Sequence, residues 1–151
     1  MTVRLSTGLR TNLAGPTGFA ATFANGVIEV YSGAQPANAD AAVAGTLLGT
    51  VTLASGAFTP GAPTNGLTFA APVAGVAVKS GVWSFNGIAP GTAGWFRLKA
   101  NDIDEGGVST ALPRLDGSAA VTGADLSLSV IAITVGVPVT IDQFQFTIPA
   151  Q

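Results

Sequence analysis

The segment Val27–Tyr31, with the sequence VIEVY, marks a change in the periodicity of the chain. It is short and consists mainly of β-branched and aromatic residues, which are favoured in strands. The dipeptides Asn25-Gly26 before it and Ser32-Gly33 after it are typical of turns. No stretch after Val27 shows an apolar repeat of about 3.6 residues, so the sequence predicts β-structure from this point onward.

Further strands are predicted because short apolar runs alternate with Gly, Pro, Asn and Asp along the rest of the chain. They are Thr46–Leu53, Leu67–Ala70, Val76–Lys79, Val82–Phe85, Gly94–Ala100, Ala119–Thr122, Leu126–Val135 and Val137–Ile148. The polar segment Gln35–Ala44 is predicted to be a loop, and Asp116-Gly117 a tight type I′ hairpin turn. This spacing of strands predicts an all-β, jelly-roll-like antiparallel β-sandwich that occupies residues 25–151 as one domain.

The last predicted strand changes its apolar face part-way along. Val137–Ile141 carries its apolar residues at odd positions, whereas Phe144–Ile148 carries them at even positions. A two-residue period reverses in this way when one residue is inserted, so the sequence predicts a β-bulge at Asp142-Gln143. A strand that is buried on both faces is the alternative.

Residues 1–24 are predicted to form a short helical or extended N-terminal segment. Three leucines recur at every fourth position, which would place them on one face of a helix that ends at Gly15-Pro16. They are Leu5, Leu9 and Leu13. Phe19 and Phe23 repeat the spacing once more. An extended arm whose leucines fill the core fits the same residues, and in either form the three leucines are candidates for an interface with a neighbouring subunit.

The composition excludes much of enzyme chemistry. Of 151 residues only 14 are charged, with six Lys and Arg against eight Asp and Glu, and the chain has no histidine and no cysteine. It therefore lacks the usual proton carrier at neutral pH, a thiol nucleophile, disulfides and the usual structural zinc ligands. A net charge of −2 argues against a nucleic-acid partner.

Membrane insertion is not expected either. The most apolar stretch without charge, Leu126–Ile141, contains several Ser, Thr, Gly and Pro residues and is too short to span a bilayer. Residues Met1–Arg10 are not followed by the apolar segment of a signal peptide, so synthesis in the cytoplasm is expected.

The densest group of polar residues is the segment Asn101–Gly107, which contains Asp102, Asp104 and Glu105. Carboxylates beside glycines can bind a hard cation such as Ca²⁺, and these three residues are weak metal candidates. The complete calcium-loop signature is absent, and a solvated loop is the favoured interpretation. No nucleophile-and-base pair or phosphate-binding glycine loop is present, so the sequence predicts no enzyme, no catalytic residue and no cofactor.

Both tryptophans lie in one aromatic region of the chain. In the strand Gly94–Ala100, Phe96 and Leu98 alternate with Trp95, Arg97 and Lys99, so the first two are predicted to face the core. The other three form a candidate contact face, with an ordinary amphipathic strand exterior as the alternative. If the aromatic side chains were exposed, they could also form a platform for stacking sugars.

The chain resembles a group of small proteins encoded among the head genes of tailed bacteriophages and prophages. The matching residues are turn and packing residues, and the resemblance extends over most of the chain, from Arg4 to Arg97. They are Arg4-Leu5-Ser6-Thr7-Gly8-Leu9-Arg10, Phe23–Pro36, Gly45-Thr46-Leu47-Leu48, Ala57-Phe58-Thr59-Pro60, Thr64-Asn65-Gly66-Leu67 and Gly91–Arg97.

The resemblance implies a structural protein of the virion, most specifically a capsid decoration or cement protein with a jelly-roll-like fold. Its expected partners are the major capsid protein and further copies of itself, as a homodimer or homotrimer, on the capsid surface. The charge-free stretch Ala41–Val78 is consistent with a surface that other proteins cover, although a neutral β-protein can also carry such a stretch. A head–tail joining or tail protein and a carbohydrate-binding β-sandwich are the other candidates.

Overall fold

The computed structural model describes residues 3–149. Two short helices precede most of the strands in this range. The elements are β1 Arg4–Leu5, α1 Thr7–Ala14, α2 Phe19–Thr22, β2 Val27–Ser32, β3 Leu47–Leu53, β4 Thr68–Phe69, β5 Val76–Ser80, β6 Trp83–Asn86, β7 Gly91–Lys99, β8 Arg114–Ala120, β9 Leu126–Leu128, β10 Ala132–Ile133 and β11 Pro138–Thr147. The chain is therefore mostly β, as the sequence predicts.

The sheet closes on itself into a mixed barrel of seven strands in the order β8-β7-β2-β3-β6-β11-β9, with β9 returning to β8. The prediction of a jelly-roll-like antiparallel sandwich is wrong in this respect. The alternation of residues specifies strands, but it does not specify whether the two ends of a sheet meet. Here they meet through one parallel contact between β8 and β9, which no local pattern encodes.

The closing contact depends on a compact turn at residues 121–125. Parallel strands usually need a connection of about a dozen residues or more, yet Leu126 lies beside Ala119 after only this turn. Asp125 holds the turn together, because its Oδ2 accepts hydrogen bonds from the backbone N–H of Ser118 at 2.9 Å and from the Ser118 hydroxyl at 2.8 Å. The backbone N–H of Asp125 donates to the Ser118 hydroxyl at 3.2 Å.

The barrel interior is filled by apolar side chains from the inward faces of its strands. Phe96 and Leu98 of β7 are fully buried there, as predicted. The ring of Phe144 joins strands that are distant in the chain, since its centroid lies 6.0 Å from that of Phe96 and 5.6 Å from that of Trp83. One continuous core therefore connects β6, β7 and β11.

The N-terminal segment packs on the barrel and contributes to the same core. Ser6 caps α1 by accepting a hydrogen bond from the N–H of Leu9, and the Ser6 hydroxyl also donates to the carbonyl of Leu112. Leu9, Phe19 and Phe23 belong to the buried cluster. The predicted helix is confirmed for Leu9 and Leu13, and so is the helical spacing of the two phenylalanines. Leu5 lies in β1, so the prediction that all three leucines share one helical face is wrong. Leu9 is fully buried within the single chain, so it is not available as an interface residue, whereas Leu5 and Leu13 are only half-buried.

The predicted β-bulge is confirmed in β11. The pairing of β11 with β9 shifts register between Ile141 and Gln143, and both Ile141 and Phe144 are buried on either side of the shift. The single predicted strand Leu126–Val135 is divided into β9 and β10.

The predicted hairpin turn at Asp116-Gly117 is wrong, because both residues lie inside β8. Gly117 is required there for packing and not for a turn. It lies opposite Phe96, and a Cβ atom at this position would lie 2.7 Å from the Phe96 ring and 2.9 Å from the Cβ of Asp125. The predicted strand Ala119–Thr122 accordingly begins earlier, at Arg114.

Candidate functional site

The outer face of three neighbouring strands carries five of the 14 charged side chains in the protein. The strand registers place Tyr31, Trp95 and Ser118 in one row across β2, β7 and β8. Glu29, Arg97 and Asp116 form the next row on the same face, and Lys99 lies beside Arg114 in the third. We call this set of outward-facing side chains the ionic layer. It consists of Glu29, Tyr31, Trp95, Arg97, Lys99, Arg114 and Asp116.

Arg97 and Asp116 form the centre of the ionic layer. The guanidinium donates from Nε to Oδ1 at 2.7 Å and from Nη2 to Oδ2 at 2.8 Å, and both side chains are fully buried. This two-pronged geometry is the strongest form of an Arg–carboxylate contact. The Arg97 guanidinium also lies 5.7 Å from the ring centroid of Trp95, which stacks on Tyr31 at 4.7 Å.

Two further ion pairs extend the layer. Arg114 donates from Nε and Nη2 to the two carboxylate oxygens of Asp104, at 2.7 Å and 2.6 Å. Lys99 donates to Oε1 of Glu29 at 2.8 Å, and the Tyr31 hydroxyl donates to Oε2 of the same carboxylate at 2.6 Å. Both oxygens of Glu29 are thus paired.

Two long connections cover the ionic layer, and we call them the cover loops. They comprise residues 33–46 and 100–113. Each cation of the layer also donates to a backbone carbonyl of a cover loop: Arg97 to Ala41 at 3.0 Å, Arg114 to Gly107 at 2.8 Å and Lys99 to Asp104. Through these hydrogen bonds the cations hold the covering backbone against the sheet.

The N-terminal segment adds a further tie of the same kind. Arg4 of β1 lies beside Asp116 in register, and its guanidinium donates to the carbonyl of Pro36 in the first cover loop. Asp40 of that loop accepts hydrogen bonds from the N–H and the hydroxyl of Thr7 at 2.8 Å and 2.7 Å. The cover is therefore fixed both to the sheet and to the start of α1.

The prediction that Trp95, Arg97 and Lys99 form an exposed contact face is wrong. The three residues do share one face of β7, as alternation predicts, but all three are buried beneath the cover loops. The physical reason is that the loops supply an acid and several carbonyls, which pair with the cations and make their burial tolerable. Both tryptophans are fully buried, so the aromatic region provides no exposed sugar platform.

Burial raises the pKa values of the carboxyl groups in and above the ionic layer, whereas hydrogen bonds from the arginines lower them. Burial would raise the pKa of Asp104, but hydrogen bonds from Arg114 and from the N–H of Gly106 outweigh it and hold the pKa below its ordinary value. For Asp116, burial outweighs the hydrogen bonds from Arg97, and the pKa is raised. Burial, with the hydrogen bond to Glu29, raises the pKa of Tyr31 far above its usual range.

The acidic segment does not form a metal centre. Asp104 points inward to Arg114, whereas Asp102 and Glu105 are exposed and lie apart from that pair. Among residues 3–149 no group of three or more His, Cys, Asp or Glu side chains is arranged to hold a metal ion. The interpretation of the whole segment as solvated is also wrong, since Asp104 is a buried structural anion.

A groove of about 770 Å³ opens on another side of the barrel. It lies between the N-terminal segment and the last part of β11, and Leu5, Leu13 and Phe146 form much of its apolar lining. Asp125 of the closing turn also lines the groove. Its Oδ1 is buried and has no hydrogen-bond partner within residues 3–149, although Oδ2 is fully engaged with Ser118.

Burial of the ionic layer leaves a surface with few charges. Only four of the 14 charged residues are exposed, and they are Arg10, Asp102, Glu105 and Asp142. Several large apolar side chains are exposed instead. The most exposed are Val108 at 79%, Ile103 at 76% and Val73 at 73%.

Sequence reasoning missed two features of this structure. It identified the shared face of Arg97 and Lys99 but not their partners, of which Glu29 lies 70 residues from Lys99. One signal in the sequence could have indicated that these cations are buried. The strand that carries them is followed by two acids that could pair with them, Asp104 in the next loop and Asp116 in the next strand. The groove had no sequence signal beyond the leucine spacing.

Comparisons with protein-family models, with curated proteins and with solved structures find no match to this chain. Within residues 3–149, neither helix is long and apolar enough to cross a membrane. Any statement about function therefore depends on the residues and geometry described above.

Proposed function

We propose that this protein is a structural component of a tailed-bacteriophage virion, specifically a capsid decoration or cement protein that binds the shell of major capsid protein. The observation that carries the proposal is the contrast between the buried ionic layer and the neutral exterior. A protein that buries its ion pairs and exposes valine and isoleucine has a surface that other proteins can cover at little desolvation cost.

The resemblance to proteins encoded among phage head genes supports the same role. A decoration protein needs no cofactor and no catalytic group, and it gains avidity because many copies bind one symmetric lattice. Clusters of two or three copies on the outside of the shell would also hide apolar side chains such as Val73 and Val108. Synthesis in the host bacterial cytoplasm and assembly onto the capsid surface complete the proposal.

The hydrogen-bonded cover over the ionic layer supports a structural role in a further way. Buried ion pairs contribute little net stability, but removing one partner is costly, so such layers can enforce a single arrangement of the loops that they hold. A component that must fit the same lattice site many times benefits from one fixed surface.

The proposal is tested by the number of copies in purified particles. Quantitative mass spectrometry should find this protein at hundreds of copies, in a simple ratio to the major capsid protein. About a dozen copies would indicate a ring-shaped connector at the head–tail junction instead. Absence from purified particles would overturn the proposal of a virion protein altogether.

A binding measurement sharpens this test. Shells that lack the protein are mixed with the purified chain, and bound protein is measured after sedimentation at low and high salt. Since few charges are exposed, the affinity should change by less than about threefold between roughly 50 and 500 mM NaCl. A steep loss with salt would mean that charges, and not the neutral surface, carry the contact.

A further inference from the structure

The groove beside β11 is bordered by two strand edges that have no strand partner among residues 3–149 at that point. β11 is paired on one side with β6 and β5, and on its other side with β9 only as far as Phe144. Beyond Phe144, the second side of β11 faces the groove. An exposed edge of this kind is a template for another strand.

The direction of the backbone groups on β11 follows from its hydrogen bonds to the neighbouring chain. The N–H of Ile148 donates to the carbonyl of Gly75 at 2.9 Å, and Phe146 lies two residues earlier in the same ladder, opposite Ala77. Because backbone groups alternate in direction along a strand, those of Gln145 and Thr147 point away from β5 and toward the groove.

The opposite wall offers a second edge. Ser6 donates to the carbonyl of Arg114, so Ser6 and Arg4 are the residues of the β1 region that bond to β8. By the same alternation, the backbone groups of Leu5 point away from β8. Leu5 lines the groove, and within residues 3–149 no backbone hydrogen bond engages Leu5, Gln145 or Thr147 on the groove side.

The chemistry of the lining restricts the occupant further. Asp125 is the single charged residue among the described residues that line the groove. An occupant that complements this lining brings one basic side chain for the carboxylate, together with apolar side chains for Leu13 and Phe146.

We propose that the groove binds an extended segment of another protein, which adds a strand between β1 and the end of β11 and places one basic side chain against Asp125. The edge from Gln145 to Pro149 is about 16 Å long at roughly 3.3 Å per residue, enough for a strand of ordinary length. Main-chain hydrogen bonds to both walls provide affinity, and the alternate side chains provide selectivity. That the segment belongs to the major capsid protein rests on the function proposed above.

The test uses two acetylated heptapeptides as probes, TVTVKVT and its counterpart TVTVEVT, titrated into the full-length ¹⁵N-labelled protein. We expect saturable shifts of the amide signals of Leu5, Gln145 and Thr147 with the lysine peptide. The glutamate peptide should bind at least about tenfold more weakly, a difference of roughly 1.4 kcal/mol. No saturable shift with either peptide up to about 1 mM, or shifts centred elsewhere, would overturn the proposal.

Two variants at one position distinguish the addition of a strand from nonspecific binding of the peptide to the apolar lining. Thr147→Pro removes a groove-facing N–H but no hydrogen bond to β5, whereas Thr147→Val keeps the N–H and favours a strand. Thr147→Pro should weaken the lysine peptide at least about tenfold, and Thr147→Val should leave the affinity unchanged. Equal affinities for the two folded variants would contradict strand addition, and the amide spectrum of each variant reports whether it is folded.

Asp125→Asn tests the charge in the same way. The amide can still accept from Ser118 while presenting N–H groups at the position of Oδ1, so the preference for the lysine peptide should disappear. A preference that persists in the folded variant would exclude Asp125 as the recognition group. Peptide binding without any binding to shells would leave the strand site intact and would refute only the capsid partner.

Discussion

The two faces of β7 are buried almost equally but are stabilised by different interactions. Phe96 and Leu98 on the inner face pack among apolar side chains, where stability follows the area removed from water. Arg97 and Lys99 on the outer face are covered only because Asp116, Glu29 and loop carbonyls satisfy them. Packing tolerates many partners of similar shape, whereas the ionic layer requires specific ones.

The largest effect is expected on the inner face, from Phe96→Ala. Phe96 is fully buried against Phe144 and Gly117, and a deletion of this size costs about 3–5 kcal/mol because a cavity remains. Urea denaturation should show the loss. Phe96→Leu, which keeps part of the side-chain volume, should lower the free energy of unfolding by clearly less. Equal losses in the two variants would show that the surrounding residues collapse around either side chain and leave no cavity.

A loss of similar size is expected on the outer face from Arg97→Met, but for a different reason. The substitution leaves Asp116 buried without its cation, which costs about 3–5 kcal/mol. The double variant with Asp116→Leu should recover most of this loss, since an apolar pair of similar volume needs no partner. Failure of the double variant to recover stability would mean that Arg97 acts mainly through Ala41 and Trp95, and the contrast between the faces would weaken.

Acid is expected to loosen the cover loops before the barrel. Asp104 and Asp40 have lowered pKa values, so their contribution to stability is complete above the ordinary value of about 3.9 and is lost as the pH falls through the lowered values. Asp116 has the opposite sign, because its raised pKa means that the folded state gains relative stability when it is protonated.

This pH response is measured by amide hydrogen exchange. The N–H groups of Val43 and Ser109, which bond to Gly106 and Asp40 across the two cover loops, should lose protection at a higher pH than the strands of the barrel. The exposed Asp142→Asn variant serves as a control and should behave like the unmodified protein. Simultaneous loss of protection in loops and barrel would contradict a separately held cover.

The smallest effect is expected from Tyr31→Phe. It removes the 2.6 Å hydrogen bond to Glu29 but keeps the ring that stacks on Trp95, so the loss should be about 0.5–1.5 kcal/mol in thermal or urea unfolding. Tyr31→Leu also removes the stacking and should cost more. If the two variants lose the same free energy of unfolding, the stacking of Tyr31 on Trp95 contributes nothing to the stability of the ionic layer.

Local patterns in the sequence determined much of the fold. The strand at Val27–Tyr31, the α1 helix and the bulge near Asp142-Gln143 follow from periodicities of two and about 3.6 residues, which each segment carries by itself. Alternation also showed that Phe96 and Leu98 share one face of β7 and that Arg97 and Lys99 share the other. These properties depend on backbone geometry within a few residues, so neighbouring residues are enough to predict them.

Tertiary structure alone decided that the barrel closes, that the charged face of β7 is covered and that a groove remains beside β11. Closure depends on β8 and β9 meeting in parallel, and Gly117, which resembles a turn residue, is in fact required by the Phe96 ring. The cover depends on loops that have no periodicity and on an acid 70 residues from its cation. Such contacts join distant parts of the chain, and their free energy arises only after desolvation in the assembled fold, so no local pattern can record them.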